Sequence, residues 1–117
     1  IMIKSYYKSI KKKQVSEYFK CIIKNRFDDM ESLLNNRITL YDGKAVISGK
    51  KNLINFTKRI FNNKQFKIYN QIILDEKKSD IVISRFDLKL NKIKLKIVDE
   101  FLFDKKNKIL KIRVYKF

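Results

Sequence analysis

Asp99, Asp42 and Tyr18 are the residues whose types and spacing could do chemistry. Asp99 lies in the run IKLKIVDEFLF, where Ile93, Leu95, Ile97, Phe101 and Phe103 fill the other alternate positions. Alternate side chains of a β-strand share a face, so this carboxylate points the same way as its apolar neighbours. Asp42 stands in the same relation to Ile38 and Leu40. Tyr18 falls on a helical face made by Val15, Phe19, Ile22 and Ile23 at three- and four-residue steps. A carboxylate turned into an apolar space must pair, accept hydrogen bonds or keep its proton. Two such acids in one cavity push their pKa values apart or upward, which makes them candidates for acid–base work.

Each residue alone also admits a plainer reading. Asp42 precedes Gly43, and Asp-Gly is a common turn pair. Tyr18 fits an amphipathic core aromatic with its hydroxyl satisfied at the rim. A β-bulge in its strand would turn Asp99 outward. The three together say more than any one of them.

The elements that must position these residues are legible in the pattern. A helix is expected from about Lys4 to Asn25, a second short helix over Asp28 to Leu34, a strand from Arg37 to Tyr41, and a small strand at Ala45–Ile47. A third helix spans Lys50 to Asn62, with Leu53, Ile54, Phe56, Ile60 and Phe61 at helical spacing. Four strands follow, at Gln65–Asp75, Asp80–Leu90, Ile93–Asp104 and Lys108–Phe117, joined by short polar connections that favour antiparallel neighbours. Helices first and a curved antiparallel sheet second make an α+β fold, one domain over residues 1–117, in which the sheet wraps a helix as a cone. The mouth of a cone is a natural ligand site. Its lining is expected from Phe19 and Ile22 of the first helix, Phe56 of the third, and Leu40 of the first strand. The later strands offer Val82, Ser84, Phe86 and Leu88, then Ile97 and Phe101, then Leu110, Ile112 and Val114.

Composition narrows the class. The chain has 117 residues, enough for one modest core. With 44% hydrophobic residues it is globular, and no apolar run reaches the length of a membrane span. The first residues carry lysines without the apolar core of a secretory leader, so none is expected. The single Cys21 has no internal disulfide partner, which fits a reducing, cytoplasmic compartment. One cysteine and no histidine leave no zinc set, and no metal or cofactor is expected. The net charge of +17 raises nucleic acid as a partner. The lysines are scattered through every element, an A/T-rich codon bias produces the same excess, and no reader motif is present. A nucleic-acid partner is therefore not the expectation.

The chain resembles the ketosteroid isomerase-like, or SnoaL-like, branch of the nuclear transport factor 2-like superfamily. The resemblance runs through YFKCIIKNRFDDMESLLNNRITLYDG, the ISGKKNLINF segment and IVDEFLFDKKNKILKIRVY, from about Val15 to Tyr115. It implies a strand aspartate, Asp42, as base. It implies an oxyanion hole from Tyr18 and a protonated Asp99. The implied activity is proton abstraction next to a carbonyl of a small apolar compound, by an isomerase or a cyclase. The alternative is a non-catalytic ligand-binding or dimeric interaction domain. Thr57 stands where some members carry a second tyrosine. Arg85 and Asp87 match the spacing of an epoxide hydrolase-like pair, but their parity turns them outward. Val98, Leu102 and Tyr115 on the outer sheet face imply a homodimer, since family members commonly pair there.

Overall fold

The computed structural model describes residues 9–76 and 78–117. Helix α1, Ile10–Ile23, starts at Ser9, whose hydroxyl accepts a hydrogen bond from the Lys12 N–H at 3.0 Å. The expected start near Lys4 lies outside the described residues. The helix ends in a Schellman arrangement. Asn25 sits at φ 55°, its N–H donates to the Ile22 carbonyl, and the Arg26 N–H donates to that of Cys21.

The expected second helix is a 3-10 helix, Phe27–Leu33, which buries Phe27, Met30 and Leu33. Three residues per turn put this spacing on one side, and seven residues suit the short runs this helix makes. Strand β1 is longer than its apolar core suggested, running Leu34–Asp42, and β2 is Ala45–Ser48. Helix α2 spans Lys50–Phe61. Strands β3 to β6 are Phe66–Asp75, Ile81–Leu90, Ile93–Phe103 and Ile109–Lys116. Every described non-glycine residue at positive φ is an asparagine: Asn25, Asn63, Asn70, Asn91 and Asn107. With only two glycines in the chain, asparagine takes over the left-handed positions.

The six strands form one sheet in the order β2-β1-β6-β5-β4-β3. All neighbours are antiparallel except β1 and β6, which run parallel. The short hairpins implied antiparallel pairing for β3 to β6 alone. The β1–β6 contact closes the sheet between distant parts of the chain, where no turn sets direction. A second departure concerns Leu110. A register shift lets Phe103 pair with Ile109 and Leu102 with Lys111, so Leu110 is the extra residue. Ile109 is therefore fully buried and Leu110 only partly.

The concave face is built in cross-strand rungs. Val82, Phe101, Ile112 and Leu40 pair in succession across β4, β5, β6 and β1. The first three are completely buried and seal the closed end. The next rung is Ile73, Ser84, Asp99, Val114 and Asp42. Beyond it lie Phe86, Ile97 and Lys116. Helix α1 packs across these rungs through edge-on rings: Tyr18 on Phe101 at 5.3 Å and Phe19 on Phe86 at 5.1 Å between centroids. Those contacts fix the direction of Tyr18. On the convex face Val98 and Leu102 are half-buried and Tyr115 is exposed, with Arg85 exposed beside them. Among the described residues no helix is long and apolar enough to cross a membrane.

Candidate functional site

A cavity of about 120 Å³ opens between α1, α2 and the concave sheet. A space of about 150 Å³ accepts one benzene ring, so this one suits a single ring or a short chain. Tyr18, Asp42 and Asp99 all line it. So do Phe19, Ile22, Leu40, Phe56, Phe86, Leu88, Ile97 and Val114. The other expected lining residues lie elsewhere. Val82, Phe101 and Ile112 form the sealed rung beneath, and Ser84 is fully buried beside Asp99, where its hydroxyl accepts from Gln71 Nε2 at 3.0 Å. Parity assigned these residues to the correct face but gave no depth. The cone narrows toward Phe101, and large side chains fill it there.

Sequence reasoning missed Ile60, Phe61, Ile68, Leu90, Leu95 and Lys116 as lining residues. The α2 residues carried a signal, because Ile60 and Phe61 belong to the same helically spaced apolar set as Phe56; in the fold all three are half-buried. Their remaining surface faces the cavity. Lys116 also carried one, since it continues the inward parity of Ile112 and Val114. As a lysine at a strand end it reads as solvated.

Asp99 and Asp42 both pair with Val114, one from each side. Strands lie about 4.8 Å apart, so the two acids are anchored about 10 Å apart on one rung, facing the same space. Asp99 is 7% exposed, and its Oδ1 has no hydrogen-bond partner. Burial, and then the charge of Asp42, push its carboxyl up to about 8, against a smaller pull from Lys116. At neutral pH Asp99 therefore carries a proton and can donate it. Burial first, then Asp99, raises the Tyr18 phenol well above its usual range, while the adjacent Thr57 hydroxyl works the other way. Thr57 Oγ1 itself donates to the Leu53 carbonyl at 2.9 Å. Tyr18 stays a neutral donor, and the cavity thus offers two O–H groups among apolar walls.

Asp42 sits at the rim, 15% exposed, with Oδ1 held by the Lys116 ammonium at 3.0 Å. The turn reading of Asp42 also has substance, because Asp42 pairs with Ala45 around Gly43, which adopts φ 61°. One residue serves both ends: its backbone closes the β1–β2 hairpin and its side chain enters the cavity.

No protein-family model and no curated protein sequence matches the chain. Solved structures do. An NTF2-like protein of unknown function from Cytophaga hutchinsonii aligns with TM-score 0.79 at 16% identity, over 96% of this chain and 94% of that one. A candidate SnoaL-like polyketide cyclase from Shewanella denitrificans gives 0.79 at 13%, over 94% and 92%. A steroid delta-isomerase from Pseudomonas aeruginosa gives 0.75 at 16%, over 93% and 81%. The chain has the nuclear transport factor 2-like fold, a fold whose members include cyclases and isomerases.

Proposed function

We propose that the protein binds a small carbonyl compound in the cone and moves a proton on the carbon beside the carbonyl. The observation that carries this reading is Asp99: a buried carboxyl with an unpartnered oxygen, lining the same apolar cavity as the Tyr18 hydroxyl. A carbon-bound proton next to a carbonyl is weakly acidic. Its removal by a carboxylate becomes feasible when the oxygen that gains charge is stabilised. Tyr18 and Asp99 would donate to that oxygen, and Asp42 would take the proton and return it to a neighbouring carbon. An isomerisation then needs no other reactant. A ring closure would use the same carbanion on a second carbonyl.

Substituted phenols mimic the charged oxygen on a flat apolar body. Fluorescence titration with a phenol panel is expected to show binding to the wild type. Affinity should be weaker by about tenfold to a hundredfold in Asp99→Ala, the value of a hydrogen bond to a charged group. Equal binding by the two proteins, or none by either, would remove the oxyanion site.

One observation favours a second reading. The Asp42–Lys116 ion pair occupies an oxygen of the proposed base. In a non-catalytic binding domain that pair would simply fasten β1 to the end of β6, and Asp42→Asn would leave ligand affinity unchanged with no turnover to lose.

A further inference from the structure

Lys116 is the only cation among the described residues that line the cavity. Its backbone is held in place: it pairs with Ile97, and the next residue, Phe117, donates its N–H to the Lys96 carbonyl at 2.8 Å. Its side chain is half exposed, at 49%, and reaches from the mouth to Asp42 Oδ1 at 3.0 Å. Water reaches the exposed lysine end of this pair and screens it more than it would a fully buried pair.

We propose that Lys116 is a recognition residue for a carboxylate or similar compact anion at the outer end of the ligand, so that the substrate is a small anionic carbonyl compound. This rests on the reading above and names its substrate class. The ligand's carbonyl would lie deep, at Tyr18 and Asp99, and its anion at the mouth, on Lys116. Asp99 pairs with Val114, two residues before Lys116 on β6. One strand across and two residues along is about 8 Å between backbone anchors, the span of one ring substituted at both ends. The cavity volume of about 120 Å³ agrees with a body of that size.

The charges are consistent with an anion. Asp99 carries its proton at neutral pH, and Asp42 is already matched by Lys116. The chain as a whole is +17, a field that concentrates small anions near its surface and speeds their arrival. The exchange of partners also has a chemical consequence. When the ligand anion takes Lys116, Oδ1 of Asp42 is released beside the carbon that must lose its proton. A neutral compound of the same shape fills the cavity but leaves Asp42 paired. Substrate recognition and release of the base thereby become one event.

The test is a matched pair of ligands. Phenols bearing a para carboxylate or a para carboxymethyl group are titrated beside their neutral methyl esters, against wild type, Lys116→Met and Lys116→Arg. The wild type is expected to prefer the acids by tenfold or more, and Lys116→Met to lose that preference, read as the ratio of acid to ester affinity within each protein. Lys116→Arg should retain most of it. Added salt should weaken the acids and leave the esters unchanged. Equal affinity of acid and ester for the wild type, or a preference that survives in Lys116→Met, overturns the proposal. Asp99→Ala, run in parallel, separates the two ideas. Loss of ester binding there with no acid preference leaves the oxyanion site standing and removes only the role of Lys116. No binding of any phenol removes both.

Discussion

Asp42→Asn is expected to slow deuterium uptake from D2O at the carbon beside the carbonyl of a small β,γ-unsaturated cyclic ketone bearing a carboxylate by about 10²–10⁴-fold, the range for a lost general base. Phenol binding should stay close to the wild-type value, because the phenol oxygen is held by Tyr18 and Asp99 at the other side of Val114. The two readouts together are diagnostic. An asparagine keeps the shape and the Ala45 pairing but cannot take a proton from carbon. If the mutant exchanges deuterium as fast as the wild type, Asp42 is not the base, and the fastening role opposite Lys116 is what remains. If neither protein catalyses exchange of any ketone while both bind phenols, the binding-domain reading replaces the catalytic one.

The second large effect is on stability. Asp99 has an ordinary value of 3.8 and is raised to about 8 in the folded protein. The folded state thus binds a proton that the unfolded chain has released across that interval. The resulting stability is fully present below pH 4, falls as pH rises, and is gone once pH passes about 8. Asp99→Asn has no such proton. The wild type should therefore lose ground to Asp99→Asn between pH 5 and pH 8, at no more than about 1.4 kcal/mol per pH unit, and the gap should level off above that. Urea unfolding of both proteins across this window measures it. Subtracting one protein from the other removes the pH dependence of the exposed acids and lysines they share. A constant gap would mean that Asp99 ionises in the folded protein much as it does in water.

The sequence spoke clearly wherever one local rule decided the outcome. The α2 face, the β4–β5 hairpin at Asn91 and the inward turn of Asp99 follow from periodicity and turn chemistry alone. It was mute where distant segments decide. The parallel contact of β1 with β6 has no connecting turn to announce it. The 3-10 winding of Phe27–Leu33 depends on how Met30 and Leu33 reach the core, which the residue types do not reveal. The bulge at Leu110 changed which of two adjacent apolar residues is buried, and Ile109 and Leu110 are too alike for a pattern to separate.

The candidate site divides in the same way. Tyr18, Asp42 and Asp99 could be chosen because polar groups on apolar faces stand out. Lys116 shares the inward parity of Ile112 and Val114 but was passed over, because a lysine at the end of a strand is the commonest kind of solvated residue in a chain with this much basic charge. Its place opposite Asp42 depends on β6 lying between β1 and β5. The depth of the cavity was likewise hidden. Val82 and Phe86 share a face of one strand, yet one seals the closed end and the other lines the open space.

The central claim is that Asp99 keeps its proton at neutral pH and offers it to a ligand oxygen. The most direct measurement is a pH titration of the Asp99 carboxyl carbon by NMR in protein labelled at aspartate, assigned by its loss in Asp99→Asn. The account predicts a signal that holds the protonated shift through pH 7, titrates near 8, and stays protonated or becomes shared when a phenol is bound. An Asp99 signal that titrates near pH 4, in the ordinary carboxylate range, would contradict it.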